Sequence, residues 1–213
     1  MSARREVWIT GTGLVSALGE GLDQHWEKLA AGTPPPYDDK TFAPYITFPV
    51  VSLNLDTQIP KKGDQRQMEL WQRIGTYAAG LALTDAGIAK NAEILDKTDM
   101  IVAAGGGERD VAVDAAILTE VRTVEKRDAI VNERLMNGLR PTLFLAQLPN
   151  LLAGNISLVH GVVGSSRTFM GEEASGVDAL RVAHARVASG QSDITLVGGA
   201  YNGTRWDLVL LFK

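Results

Sequence analysis

Four short apolar runs in this chain each end on glycine: Val7–Thr10 before Gly11-Thr12-Gly13, Met100–Ala104 before Gly105-Gly106-Gly107, Phe169-Met170 before Gly171, and Asp193–Val197 before Gly198-Gly199. Runs of this length with abrupt glycine stops read as buried strands. Between them lie stretches of helical period, so strand and helix alternate. That order predicts an α/β architecture, a mainly parallel central sheet covered by helices.

The helical stretches are individually legible. Leu22, Trp26, Leu29 and Ala30 fall on one face of a first helix, with Asp23 in its first turn and Gly32 as its stop. Glu69–Ala86 is the clearest helix, with an inward stripe of Leu70, Ile74, Tyr77, Ala78, Leu81 and Ala82 and a stop at Gly87. Asp110–Thr123 and Ile130–Asn137 follow, then an apolar helix over Leu143–Ile156 interrupted at Pro149. Ser175–Ser189 is expected to turn Val177, Leu180, His184 and Val187 inward and to close at Gly190. The stretch from Thr33 to Pro60, broken by Pro44, Pro49 and Pro60, is expected to be irregular.

Composition narrows the classes. The chain has 213 residues, 45% of them apolar and 22% charged, which suits one globular domain over residues 1–213. The net charge of -4 argues against a nucleic-acid partner. Lys61-Lys62 beside Asp64 reads as a solvated loop. No cysteine is present, so disulfides, thiolate metal sites and a cysteine nucleophile are excluded. No run approaches the roughly 18 apolar residues of a membrane span, and Met1–Trp8 lacks the pattern of a secretory signal. The expectation is a soluble protein of the cytoplasm.

Gly11-Thr12-Gly13 invites a dinucleotide reading, but Ser16 stands where a third glycine is needed, and no acidic residue ends a second strand at the required distance. A tight turn is the plainer reading. His25, His160 and His184 have no neighbouring ligand pattern, so neither a metal site nor a Ser-His-Asp triad is predicted, and no cofactor. Gly171-Glu172-Glu173-Ala174-Ser175-Gly176 lies between a strand and a helix start. Unpaired N–H groups and the helix dipole favour an anion there. Taken locally, Glu172 or Glu173 reads first as a plain first-turn acid, and the motif needs the wider context.

In order and spacing these pieces resemble β-ketoacyl-(acyl carrier protein) synthases, condensing enzymes of the thiolase-like fold. Val7 to Ser16 with Leu18-Gly19 resembles the opening V-x-I-T-G-x-G-x-V-S-x-x-G. Trp26 and Leu29–Gly32 look like W-x-x-L-x-x-G, and Ala82-Leu83-x-Asp85-Ala86-Gly87 like A-L-x-D-A-G. Leu152–Ser157 with Gly161 resembles the segment before the active site, and Ser175-Gly176, Ala183, Gly190, Asp193 and Val197–Ala200 resemble C-x-S-G … A … G-x-x-D-x-x-x-x-G-G-A.

The resemblance implies the N-terminal half of a fold built from two five-stranded α/β halves. It puts Glu173 at the position of the catalytic cysteine, and leaves the two histidines and the lysine of the family in the half that this chain does not cover. A carboxylate is a poor acyl acceptor, so Glu173 is not expected to be acylated. Relatives with glutamine there are loading-module decarboxylases or chain length factors. The implied partners are acyl carrier protein and a second chain, as a homodimer or as a heterodimer with an active synthase. The implied dimer edge is the strand Ser166–Met170 with the Leu143–Ile156 helix nearby. Whether the full-length protein is an enzyme, a 3-oxoacyl-ACP synthase or a malonyl-ACP decarboxylase, stays open at this point. The apolar end Leu208–Phe212 reads as a strand needing cover.

Overall fold

The computed structural model describes residues 5–107, 109–125, 127–171 and 173–211, with the side chain of Ala146 outside that description. Residues 5–14 form no regular element, and a two-residue ladder follows, β1 (Val15–Ser16) with β2 (Gly19–Glu20). Helix α1 (Gly21–Ala30) follows directly. The proline-rich stretch is irregular as expected, with one isolated bridge, Asp38 to Thr47, and a single 3-10 turn at Leu55–Thr57. Lys62 is the exception to the loop expected around it: it starts helix α2 (Lys62–Gln67), although its side chain is exposed and pairs with Asp56.

Helix α3 (Leu70–Asp85) carries a reciprocal cap, in which Glu69 accepts from the backbone of Gln72 and Gln72 accepts from the N–H of Glu69. Helix α4 (Ala92–Leu95) leads into β3 (Asp99–Ala104). Helices α5 (Val111–Val121) and α6 (Arg127–Gly138) form an outlying pair. The helix expected over Leu143–Ile156 is divided at Pro149 into α7 (Leu143–Ala146) and α8 (Leu151–His160). Then come β4 (Ser166–Phe169), α9 (Ser175–Ala188), β5 (Thr195–Ala200) and α10 (Trp206–Leu211).

Strands β4, β3 and β5 form a parallel sheet in that order, with Met100 opposite both Ser166 and Leu196. Because β3 alternates sides at every residue, Met100, Val102 and Ala104 pack into a cluster with Trp71, Leu83, Leu152 and Ile156, under α3 and α8. Ile101 and Ala103 pack on the other side against Ala179 and Ala183 of α9. At the start of β3 the Asp99 carboxylate accepts from Arg186 Nη2 of α9 at 2.8 Å and from the Ser165 N–H at 2.9 Å. Burial opposes its ionisation, but those bonds and that of Ser192 outweigh it and hold the carboxyl below its usual range.

Several expected faces are turned. Val7–Thr10 is not a buried strand: Trp8 is 76% exposed and Ile9 79%, and the segment pairs with no strand among the described residues. Nor is Gly11-Thr12-Gly13 a tight turn. It runs flat against α3, where a Cβ on Gly13 would lie 2.0 Å from the Ala78 carbonyl oxygen, and Asp85 accepts from the Thr12 N–H at 2.8 Å. On α1 the side that contains Leu22, Trp26 and Leu29 is exposed and His25 is the buried residue. On α3 Tyr77 is buried as expected, but the fully covered face is that of Trp71, Gly75, Ala79 and Leu83, because α8 and the sheet lie on that side. On α9 the buried residues are Ala179, Ala183 and Ala188, while Val177, Leu180 and His184 are exposed: small side chains let the helix approach the sheet, and the large ones are left outside. Gly198 and Gly199 belong to β5 rather than ending it, and Trp206–Leu211 is a helix rather than an apolar strand.

Candidate functional site

All three strands of the sheet point the same way, so the segments that follow them leave at its carboxyl edge: Gly105–Gly107 after β3, Met170-Gly171 after β4 and Tyr201–Thr204 after β5. In open α/β sheets this edge is where ligands sit. The first and third of these are in contact. A Cβ on Gly105 would lie 3.5 Å from the Tyr201 ring, and Arg205 donates to the Gly107 carbonyl at 2.7 Å.

The β4–α9 connection is short because Gly171 takes a φ of +155°, a conformation that side chains resist. It sends the chain from the strand into the first turn of α9 within a few residues. Glu173 lies in that junction, exposed, one residue before the cap Ala174. Glu172 lies outside the described residues. Asp178 occupies the first turn of α9 and pairs with Arg181, so a first-turn acid is supplied without Glu173. The first-turn N–H groups of a helix favour an anion, and the Glu173 carboxylate lies just before that turn.

The histidines are scattered. His160, at the end of α8, hydrogen-bonds the Thr76 carbonyl at 2.9 Å, and its burial pulls its pKa below the ordinary histidine value. His184 is exposed on α9. His25 is buried and bonded to Ser16, a contact that the sequence pattern gave no reason to expect, since the two are brought together by the β1–β2 hairpin. Among the described residues no group of three or more His, Asp or Glu side chains is placed to hold a metal, and no helix is long and apolar enough to cross a membrane.

Two hollows adjoin the sheet. A cavity of about 190 Å³ touches Ser16, Phe48, Tyr201 and Asn202 at the carboxyl edge. A cleft of about 880 Å³ separates residues 7–13 from the free edge of β5, floored by Ala78 and Ala82 of α3 and walled by Leu180 and His184 of α9.

Comparison with known proteins accounts for this arrangement. The family model described as Beta-ketoacyl synthase, N-terminal domain, matches residues 4–212. A 3-oxoacyl-(acyl-carrier-protein) synthase 2 of Vibrio cholerae is 24% identical over 203 residues, which is 93% of this chain and 46% of that protein. The ishigamide ketosynthase/chain length factor superposes with a TM-score of 0.72 at 22% identity, over 98% of this chain and 50% of that one. A type II polyketide ketosynthase solved with its acyl-carrier protein and bound to a hexaketide gives a TM-score of 0.73 at 17% identity, over 98% and 55%. The chain thus spans about half the length of the relatives it matches.

Proposed function

Since the chain belongs to the β-ketoacyl synthase family, in its N-terminal domain, we propose that it serves acyl-chain biosynthesis as a synthase-like partner subunit that does not itself condense. The observation that carries this is Glu173, an exposed carboxylate at the strand-to-helix junction where the resemblance puts the acyl-bearing cysteine. A thiolate at a helix start accepts an acyl group because the dipole lowers its pKa and sulfur is a strong nucleophile. A carboxylate there is a weak one, and its adduct would be an anhydride open to water.

The partners in this reading are acyl carrier protein and a second chain, either a copy of this one or an active synthase, in the cytoplasm. The uncovered apolar wall of α9 and the free edge of β5 support the need for cover by further polypeptide. A second reading is favoured by relatives named as 3-oxoacyl-(acyl-carrier-protein) synthases: the complete protein condenses, or decarboxylates malonyl-ACP, with groups beyond this chain.

Incubating this chain with acyl-ACP and malonyl-ACP should yield no 3-oxoacyl product and no acyl adduct on Glu173 by peptide mass mapping. A 3-oxoacyl product above background would overturn the reading. The site assignment is tested separately by Glu173→Cys. A thiol at that junction should react with iodoacetamide faster than a model thiol at pH 7. A thiol no faster than the model would remove Glu173 from the nucleophile position.

A further inference from the structure

His25 is 5% exposed, and its Nδ1 lies 2.6 Å from the Gly21 carbonyl oxygen. A carbonyl can only accept, so Nδ1 carries the proton of the neutral ring and Nε2 is a bare acceptor. Ser16 Oγ stands 2.7 Å from that nitrogen. The Leu18 N–H donates to the same oxygen at 3.0 Å, which fixes its position and leaves one lone pair. This is the geometry of a serine with its base, the base oriented by a backbone carbonyl in place of a carboxylate. Ser16 also lines the 190 Å³ cavity, whose opposite side is the Tyr201–Thr204 segment after β5. Ser16 is therefore set at the carboxyl edge of the parallel sheet, beside a space equal to roughly six water volumes, with His25 behind it.

We infer that Ser16, with His25 as general base, is a nucleophilic site that accepts short acyl groups from activated esters or thioesters. It does not rest on the reading of Glu173, which lies on a different connection. As Ser16 Oγ bonds to the acyl carbon, its proton passes to His25 Nε2. The carbon–leaving-group bond then breaks, and the departing oxygen or sulfur takes that proton. Water adds to the acyl-serine by the same route, delivering a proton through His25 to the serine oxygen, so that the free acid leaves and the hydroxyl is restored. The size of the cavity limits the acyl group to a few carbons.

The probes are p-nitrophenyl acetate and a fluorophosphonate, read by intact mass and peptide mapping of the chain. A single adduct on Ser16 is expected, absent in Ser16→Ala and formed roughly 100-fold more slowly in His25→Gln, as for loss of a general base. Circular dichroism checks that both variants fold, since Ser16→Ala also removes an acceptor for the Leu18 N–H. Ser16→Cys keeps the shape and should be alkylated by iodoacetamide. An unlabelled wild-type chain, an adduct confined to another residue, or labelling of Ser16 at an undiminished rate in folded His25→Gln would each overturn the assignment.

Discussion

The two sides of β3 are built differently. On one, Met100, Val102 and Ala104 are sealed beneath Trp71, Leu83, Leu95, Leu152, Ile156 and Val162, all nearly inaccessible to solvent. On the other, Ile101 and Ala103 meet the buried alanines of α9, with Phe169, Val182 and Val197 only partly covered around them, and Val177 and Leu180 of that helix lie outside, 69% and 51% exposed. The same strand thus supports a finished core and an unfinished one. Stability should reside in the first. The second leaves an apolar wall exposed beside the edge strand β5, the kind of surface at which contacts form.

The sharpest way to break this comparison is to remove the same group from each side. Leu152 is 1% exposed and stands at the centre of the sealed cluster. Leu152→Ala should cost about 3 kcal/mol in urea unfolding, from lost transfer energy and the void left behind. A cost below about 1 kcal/mol would mean that this side is no better packed than the other.

Much of this arrangement was legible in the residues. Glycine-ended apolar runs located β3, β4 and β5 to within a few positions, and Pro149 divided the apolar helix where a proline should. The errors share a cause. On hydrophobicity Val177 and Leu180 read as inward and the Val7–Thr10 run as a buried strand, yet periodicity reports only that a face is apolar, not which neighbour covers it. Among the described residues nothing covers Val177, Leu180 or Trp8 and Ile9. At the site, the strand–glycine–helix pattern located the Glu173 junction, but the Ser16–His25 contact depends on a hairpin of two-residue strands, too short to leave a periodic signal.

A smaller effect is expected where the two sides are tied together. The Asp99–Arg186 pair joins the start of β3 to α9 with both side chains mostly buried, 13% and 15% exposed. Asp99→Asn should cost about 2 kcal/mol at pH 7, as for a hydrogen-bonded charge losing its partner. The sign of its pH dependence follows from the lowered carboxyl pKa. The stabilisation is fully present above the unfolded value near 3.8 and is lost as pH falls through the lower folded value. The gap between wild type and Asp99→Asn should therefore be constant from pH 7 to about 5 and narrow below about 4. A gap that widens in acid would show that Asp99 is not held ionised by Arg186.

The smallest effect belongs to the open side, and it gives the comparison its meaning. Leu180 projects from α9 into the cleft beside β5 and is half exposed already in this chain. Truncating it removes little buried area and leaves no closed void, so Leu180→Ala should change the stability of the isolated chain by no more than about 0.5 kcal/mol. Alanine's better helix propensity is too close to that of leucine to alter the outcome. The same substitution should matter once the cleft is covered. In an assembly with a second chain, or with the remainder that longer relatives possess, Leu180 becomes a core residue, and its truncation should cost about 2 kcal/mol or more of assembly or folding energy. Urea unfolding of the isolated chain and of the assembled protein supplies the two numbers. A large cost in the isolated chain would mean that α9 is already packed there, and equal small costs in both would mean that the cleft stays open to water.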